Sequence, residues 1–298
     1  MWFKNLQLYK LASGWKMAPG TLDEKLAKQP LKPCTGLNLQ SQGWIAPRGD
    51  GQMVYAQGKQ MLIAFGVEQK LLPASVVRQM AEERGKELES KLGHKPGRNQ
   101  MRVLKEQITT ELLPRAFAKQ RITQAWINPE AGFVLVDASA PKRAEELLEH
   151  LRHTLGELPV TLLETEMSAQ GAMTQWLAGG DAPGHFTLHE DCELKGSGVQ
   201  GSTVRYTRHG LEGKDIRDHI RDGKTVSKLG LTWHERLGLI LAEPVQVRRL
   251  RFLDIEKGRE DAEMANPEDQ FDADFALMVG EVSALLADLL KALGGEKK

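Results

Sequence analysis

The sequence predicts an α+β fold with three regions: a central strand–helix body, a protruding helical-hairpin tip and a β-rich base. Three observations predict it. Apolar residues recur at helical spacing on both sides of a Gly/Pro turn, Gly93 to Arg98. Strand–helix–strand material lies on both flanks of that hairpin. From about Ser168 the chain turns to long alternating strands with one polar helix, and it closes on an apolar helix. The expected divisions are 1–72 and 122–167 for the centre, 73–121 for the tip arm and 168–253 for the base. Residues 254–298 then form an acidic linker and a helix that packs back on the body.

Taken in order, Trp2 to Leu11 alternates apolar and polar residues and reads as a strand rather than a secretion signal. Leu22 to Gln29 is a short helix with Thr21 as N-cap. Gly43 to Pro47 is a short strand, and Met53 to Gly66 a hairpin bending near Gly58-Lys59. In the arm, Val76, Val77, Met80, Leu88 and Leu92 mark the first helix (Pro73 to Leu92). Met101, Leu104, Ile108, Leu112 and Leu113 mark the second (Asn99 to Leu113). Together they bury one narrow stripe. Strands follow at Ile122 to Ile127 and Gly132 to Asp137, a helix at Pro141 to Leu155, and a strand at Pro159 to Leu163.

The base reads as a helix at Ala169 to Leu177, strands at Phe186 to Leu194 and Ser202 to Thr207, and a polar helix at Gly213 to Arg221. Strands then run Val226 to Trp233, Leu237 to Leu241 and Gln246 to Phe252. The linker spans Asp254 to Asp269. The last helix, Ala273 to Leu293, is too apolar to stand free.

Lys and Arg number 40, as do Asp and Glu, so the chain is neutral overall. The charge is segregated: by counting, Glu68 to Arg121 carries about +5, Thr203 to Arg251 about +5 and Asp254 to Lys298 about −7. Such separation builds local positive fields without a basic pI. The arm's cations include Arg78, Lys95, Arg98, Lys105, Arg115 and Lys119. The base strands present Arg205, Arg208, Lys224 and Lys228, with Arg248, Arg249 and Arg251. Lys and Arg neutralise phosphates without reading bases, so these surfaces suit duplex or single-stranded nucleic acid of any sequence. A solvated face is the plainer alternative. The two cysteines, Cys34 and Cys192, read as reduced thiols of a cytoplasmic protein. No apolar run approaches the roughly 20 residues that span a bilayer.

Signs of catalysis are lacking: there is no Gly-rich phosphate loop and no nucleophile elbow. Asp272 and Asp274 could hold Mg²⁺, or could cap and face the dipole of the last helix. His185 and His189 share a four-residue spacing but lack a third ligand nearby. No cofactor is expected. Phe117, just past the proline that stops the second arm helix, either packs into the body or joins a seam with a second subunit.

Several stretches together carry a resemblance: Met1-Trp-Phe-Lys-Asn-Leu, Gly43-Trp-Ile-Ala-Pro, Leu112-Leu-Pro-Arg-Ala-Phe, Lys228-Leu-Gly-Leu-Thr-Trp and Phe271-Asp-Ala-Asp-Phe-Ala-Leu-Met-Val-Gly-Glu. In order and over the whole chain, they resemble the bacterial recombination-associated RdgC family. The resemblance implies a ring-shaped homodimer, tips meeting at one contact and bases at the other, around duplex DNA. It implies nonspecific DNA binding that limits RecA access or strand exchange, without cofactor or catalysis, on the nucleoid. Arg115 and Phe117 lie in a matched motif. Lys70 stands before Leu71-Leu-Pro, as a lysine does in the family, and Arg208 where the family has a basic residue. For Lys95 and Arg98 the resemblance carries sign, not position. Two other functions fit the residues: a metal-dependent nuclease using Asp272 and Asp274, and an adaptor whose basic arm grips an acidic protein.

Overall fold

Helical and alternating patterns become helices and strands close to where the sequence places them. The computed structural model describes residues 2–196, 201–253 and 266–297. In chain order the first elements are β1 (Leu6–Leu11), α1 (Pro19–Leu26), β2 (Gln40–Ile45), β3 (Val54–Gln57) and β4 (Gln60–Lys70). Next come α2 (Ala74–Leu92), α3 (Arg98–Leu112), a single 3-10 turn (Leu113–Arg115), β5 (Ala118–Asn128) and β6 (Phe133–Val136). Then follow α4 (Pro141–Leu155), β7 (Val160–Leu162), α5 (Ala169–Gly179), β8 (Phe186–Lys195) and β9 (Thr203–Tyr206). The described chain closes with α6 (Lys214–Arg221), β10 (Thr225–Trp233), β11 (Leu237–Ala242), β12 (Gln246–Phe252) and α7 (Pro267–Ala292). The class is α+β with a large antiparallel sheet.

The chain divides into two compact units. One comprises Met1–Pro19, Tyr55–Leu62 and Gln124–Lys298; the other comprises Gly20–Val54 and Ile63–Thr123. In the first, the strands hydrogen-bond in the order β5-β6-β1-β12-β11-β10-β8-β9, with β7 also on β1. Register is set by apolar pairs such as Leu8↔Leu135 and Trp233↔Phe186. One set of alternate residues, Leu229, Leu231 and Trp233 of β10, Leu237, Leu239 and Leu241 of β11, and Val247 of β12, enters the core. Against them pack Met173, Trp176 and Leu177 of α5, and Phe275, Met278, Val282, Leu285 and Leu289 of α7. At roughly 1.5–3 kcal/mol per buried large apolar side chain, α7 alone is a major contributor to this unit.

The second unit holds α1, β2 with its partner segment of β4, and the α2–α3 pair. Trp44 and Phe65 meet edge to face at 5.6 Å. The helices α2 and α3 fold back on each other along a thin seam of Ala81, Gly85 and Ile108. Gly85 keeps the approach close: a Cβ there would sit 3.2 Å from Met101 Sδ, so the methionine would have to shift. Arg84 bridges to Glu111 at 2.7 Å across the pair. Much of the expected stripe stays wet: Val76 and Leu92 are exposed.

Among the boundaries that differ from expectation, three have clear local reasons; β5 also starts at Ala118 rather than Ile122, and β4 runs on to Lys70. α1 starts at Pro19, a residue whose fixed φ suits a first helical position, so Thr21 lies inside the helix and is no N-cap. β1 starts at Leu6, because the Lys4 and Asn5 N–H groups instead donate to Asp137 Oδ1, at 3.2 and 2.8 Å. α7 starts at Pro267. The Asn266 side-chain oxygen accepts from Glu268 N, proline follows, and Glu268 and Asp269 occupy the first turn. The last four residues of the expected linker are therefore cap and helix; its residues 254–265 lie outside the described residues. Asp272 and Asp274 consequently belong to the helix body, not to its cap and first turn.

Candidate nucleic-acid interface

On β8, β10, β11 and β12 the residues that alternate with the core form a second, polar face. They line two adjoining depressions of about 330 and 700 Å³ that share Asp191, Thr207, Ile240 and Arg249. Six cations line them: Arg205, Arg208, Lys228, Arg248, Arg249 and Arg251. Three acids oppose these: Glu190, Asp191 and Glu193. The floor is low at Gly230, where a Cβ would lie 3.1 Å from the Asp191 carbonyl oxygen. A shallow, wide, cation-rich trough suits an extended polyanion better than a small substrate, which wants an enclosed apolar cleft.

A single carboxylate organises one end of the trough. Glu193 lies in the middle of a cross-strand row, paired with Arg205 on β9 and Lys228 on β10. Its side chain is 5% exposed. It accepts from Arg205 Nη2 at 2.6 Å, Lys228 Nζ at 2.9 Å and Ser227 Oγ at 2.9 Å. Burial pushes the carboxyl up, but these hydrogen bonds, led by Lys228 and Arg205, outweigh burial and hold it at about 2. Two cations sharing one anion leave net positive charge whose position is fixed.

At the other end the backbone aims the cations. Arg208 and Arg249 have φ of 51° and 50°, in the left-handed region that non-glycine residues seldom adopt. Arg208 N–H donates to Asp191 Oδ1 at 3.3 Å, and Arg249 N–H to Asn5 Oδ1 at 3.4 Å. The β11–β12 register shifts between Gly238 and Ile240, opposite this stretch, and such irregularities re-aim side chains. Burial, with Asp191 and Asp215 nearby, pushes the Cys192 thiol up to about 12, so it is protonated and unreactive at neutral pH.

The second unit has its own cationic surface. Arg98, Arg102 and Lys105, successive on one face of α3, border a shallow depression with Asn99 and Met101. Arg78, Lys95, Arg115 and Lys119 are also exposed. Lys70 is placed differently: it is buried, and its ammonium donates to the Leu113 and Pro114 carbonyl oxygens at 3.0 and 3.5 Å. It thus holds the turn that carries Arg115. Leu71 N–H donates to the Phe117 carbonyl oxygen at 2.7 Å, fixing the backbone while the Phe117 ring stands 85% exposed. The ring is therefore not packed into its own body.

Of the base cations expected from sequence, the structure gathers Arg205, Arg208, Lys228, Arg248, Arg249 and Arg251 into the trough. It leaves Lys224 outside, 3.3 Å from His219 Nδ1. Glu193, Asp191 and the paired backbone strain at Arg208 and Arg249 were not legible. Their signal exists only across strands, apart from the polar alternation of β8. The aspartates of α7 have different partners: Asp272 accepts from the Tyr55 hydroxyl at 2.9 Å, while Asp274 is buried and accepts from Gln270 at 2.8 Å. His185 and His189 do not converge either; His189 lines the trough, and His185 stacks on His234. Among the described residues no helix is long and apolar enough to cross a membrane.

Comparison with known proteins agrees over the full length. A family model described as "Putative exonuclease, RdgC" matches residues 1–296. A protein of Dechloromonas aromatica (strain RCB) named Recombination-associated protein RdgC is 47% identical over 299 residues, covering 99% of this chain and 98% of its own. Proteins of the same name from Janthinobacterium sp. (strain Marseille) and Cupriavidus necator are 44% and 43% identical, with at least 99% of each chain covered.

Proposed function

The chain belongs to the RdgC family, and from that premise we propose that it binds DNA through phosphates, without sequence preference, as a ring-forming homodimer. In this reading it modulates homologous recombination by occupying DNA that RecA would use. The observation that carries it is the trough. Six basic side chains sit on one open sheet face, two fixed by Glu193 and two aimed by left-handed backbone. Cations fixed before the ligand arrives lose little freedom on binding, which favours phosphate contacts. The α3 surface adds a second set of phosphate contacts, with Lys70 supporting the Arg115 turn. The exposed Phe117 supplies an apolar anchor for the contact between subunits.

The test is competition. Fluorescence anisotropy with a labelled random-sequence duplex should give equal displacement by unrelated duplexes, and sedimentation should give a dimer. A monomer at micromolar concentration, or displacement by an acidic peptide but not by DNA, contradicts the proposal. The family model's description also names an exonuclease. Incubating end-labelled DNA with Mg²⁺ or Mn²⁺ separates that reading: shortening of the DNA that is lost in Asp274→Ala would favour it over passive binding.

A further inference from the structure

Where β8 begins and β10 ends, three potential ligands converge outside the trough. His185 immediately precedes β8 and His234 immediately follows β10, so they continue the Trp233↔Phe186 pair. His234 N–H donates to the His185 carbonyl oxygen at 3.0 Å. The two imidazoles stack, centroids 3.9 Å apart and planes 24° off parallel. From α7, Asp288 comes to the same spot, its Oδ2 3.9 Å from His234 Nε2. One potential ligand atom from each residue lies within 4.8 Å of the others, and among the described residues these are the one such group of three.

We propose that His185, His234 and Asp288 form a site for one first-row divalent cation of the zinc class. The donor set selects the ion: two imidazoles and a carboxylate suit Zn²⁺ or Co²⁺, whereas Mg²⁺ and Ca²⁺ require oxygens. The spacing is near what is needed. A tetrahedral ion with bonds of about 2.0–2.1 Å holds its ligand atoms roughly 3.3 Å apart, so closing the site takes up to about 1.5 Å of approach, with one ring turning out of the stack so that both in-plane lone pairs meet the ion. Both histidine side chains are exposed and can make it. The carboxylate is already oriented, because Trp233 Nε1 donates to Asp288 Oδ2 at 2.9 Å, as outer partners of metal ligands do. His234 is further fixed by its left-handed backbone, φ 48°, in the turn between β10 and β11. A simple ion pair needs one histidine; a second imidazole beside the His234–Asp288 pair is what distinguishes a potential chelating group. An ion there would cross-link α7 to the ends of two core strands and leave a coordination position open to water.

The experiment uses the full chain, stripped with chelator and titrated with Zn²⁺ by calorimetry and with Co²⁺ by visible absorption. The expected result is one Zn²⁺ per chain, Co²⁺ bands typical of low coordination number, and a higher Tm with Zn²⁺. The variants spare the fold. His185→Ala removes an exposed ring, His234→Asn keeps a residue that tolerates left-handed backbone, and Asp288→Asn keeps an acceptor for Trp233. Each should weaken Zn²⁺ by at least the about 10–100-fold that losing an outer-sphere partner costs, and should abolish the Co²⁺ bands. No one-to-one binding, or binding unchanged in either histidine variant, overturns the proposal. Because DNA is absent from these measurements, their outcome is separate from that of the DNA-binding proposal.

Discussion

On the base sheet, Arg205 and Lys228 share one buried carboxylate, while Arg208 and Arg249 are set by left-handed backbone and side-chain-to-backbone hydrogen bonds. On α2 and α3, by contrast, Arg78, Lys95, Arg98 and Lys105 project from helices joined by a thin seam of Ala81, Gly85 and Ile108. By counting, each stretch carries about +5. The difference is in how that charge is held. The sheet commits free energy to fixing its cations; the helices leave theirs free to follow a ligand. Charge counting cannot distinguish these cases, but burial and hydrogen bonding can.

The largest expected effect separates the two regions by stability. Leu285→Ala, in the core under the sheet, should cost about 2–5 kcal/mol in denaturant unfolding. Val103→Ala, 45% exposed on α3, should stay within about 0.5 kcal/mol. Similar losses at both would mean that the arm is as tightly packed as the base.

Glu193→Gln sharpens the comparison next. It leaves Lys228 and Arg205 without their anion and should destabilise by about 1–3 kcal/mol. The acid limb supplies the sign. The Glu193 carboxyl sits at about 2 in the fold against an ordinary 4.5, so the folded state prefers it ionised. Its stabilisation is complete above about pH 4.5 and is lost as pH falls towards 2. Urea midpoints measured across that range should converge between wild type and variant at the acid end; a constant gap would remove Glu193 as the organiser.

Much of this architecture was legible in the chain. Strong helical periodicity gave α4 the range Pro141–Leu155, and alternation gave β12 the range Gln246–Phe252. Cap chemistry hidden in an acidic run was not read: Asn266-Pro267-Glu268-Asp269 looks like linker until its hydrogen bonds are seen. The arm seam was only partly legible, because Ala81 and Gly85 carry almost no hydropathy signal yet are what let the helices approach. The trough's cations could be named from sequence, but not which of them share a carboxylate, because Glu193, Arg205 and Lys228 meet only through strand register. For His185 the sequence signal points to the wrong neighbour: spacing along one strand suggests His189, whereas pairing between strands brings His234.

Two smaller effects complete the comparison. Arg208→Ala with Arg249→Ala should lower the magnitude of the salt slope of DNA binding by about 2, and Arg98→Ala with Lys105→Ala by less, since α3 holds its cations loosely. Equal changes would erase the distinction between fixed and free charge. Phe117→Ser should leave Tm essentially unchanged, because the ring is 85% exposed, while raising the dimer dissociation constant in sedimentation. A large fall in Tm would place the ring's role within the chain instead.

The most direct measurement is a salt series of affinity for two unrelated random-sequence duplexes. Phosphate binding predicts parallel straight lines of log K against log[salt], each contact contributing about −0.9 to the slope. A flat response, or lines that diverge between sequences, would contradict a protein that holds DNA by its phosphates alone.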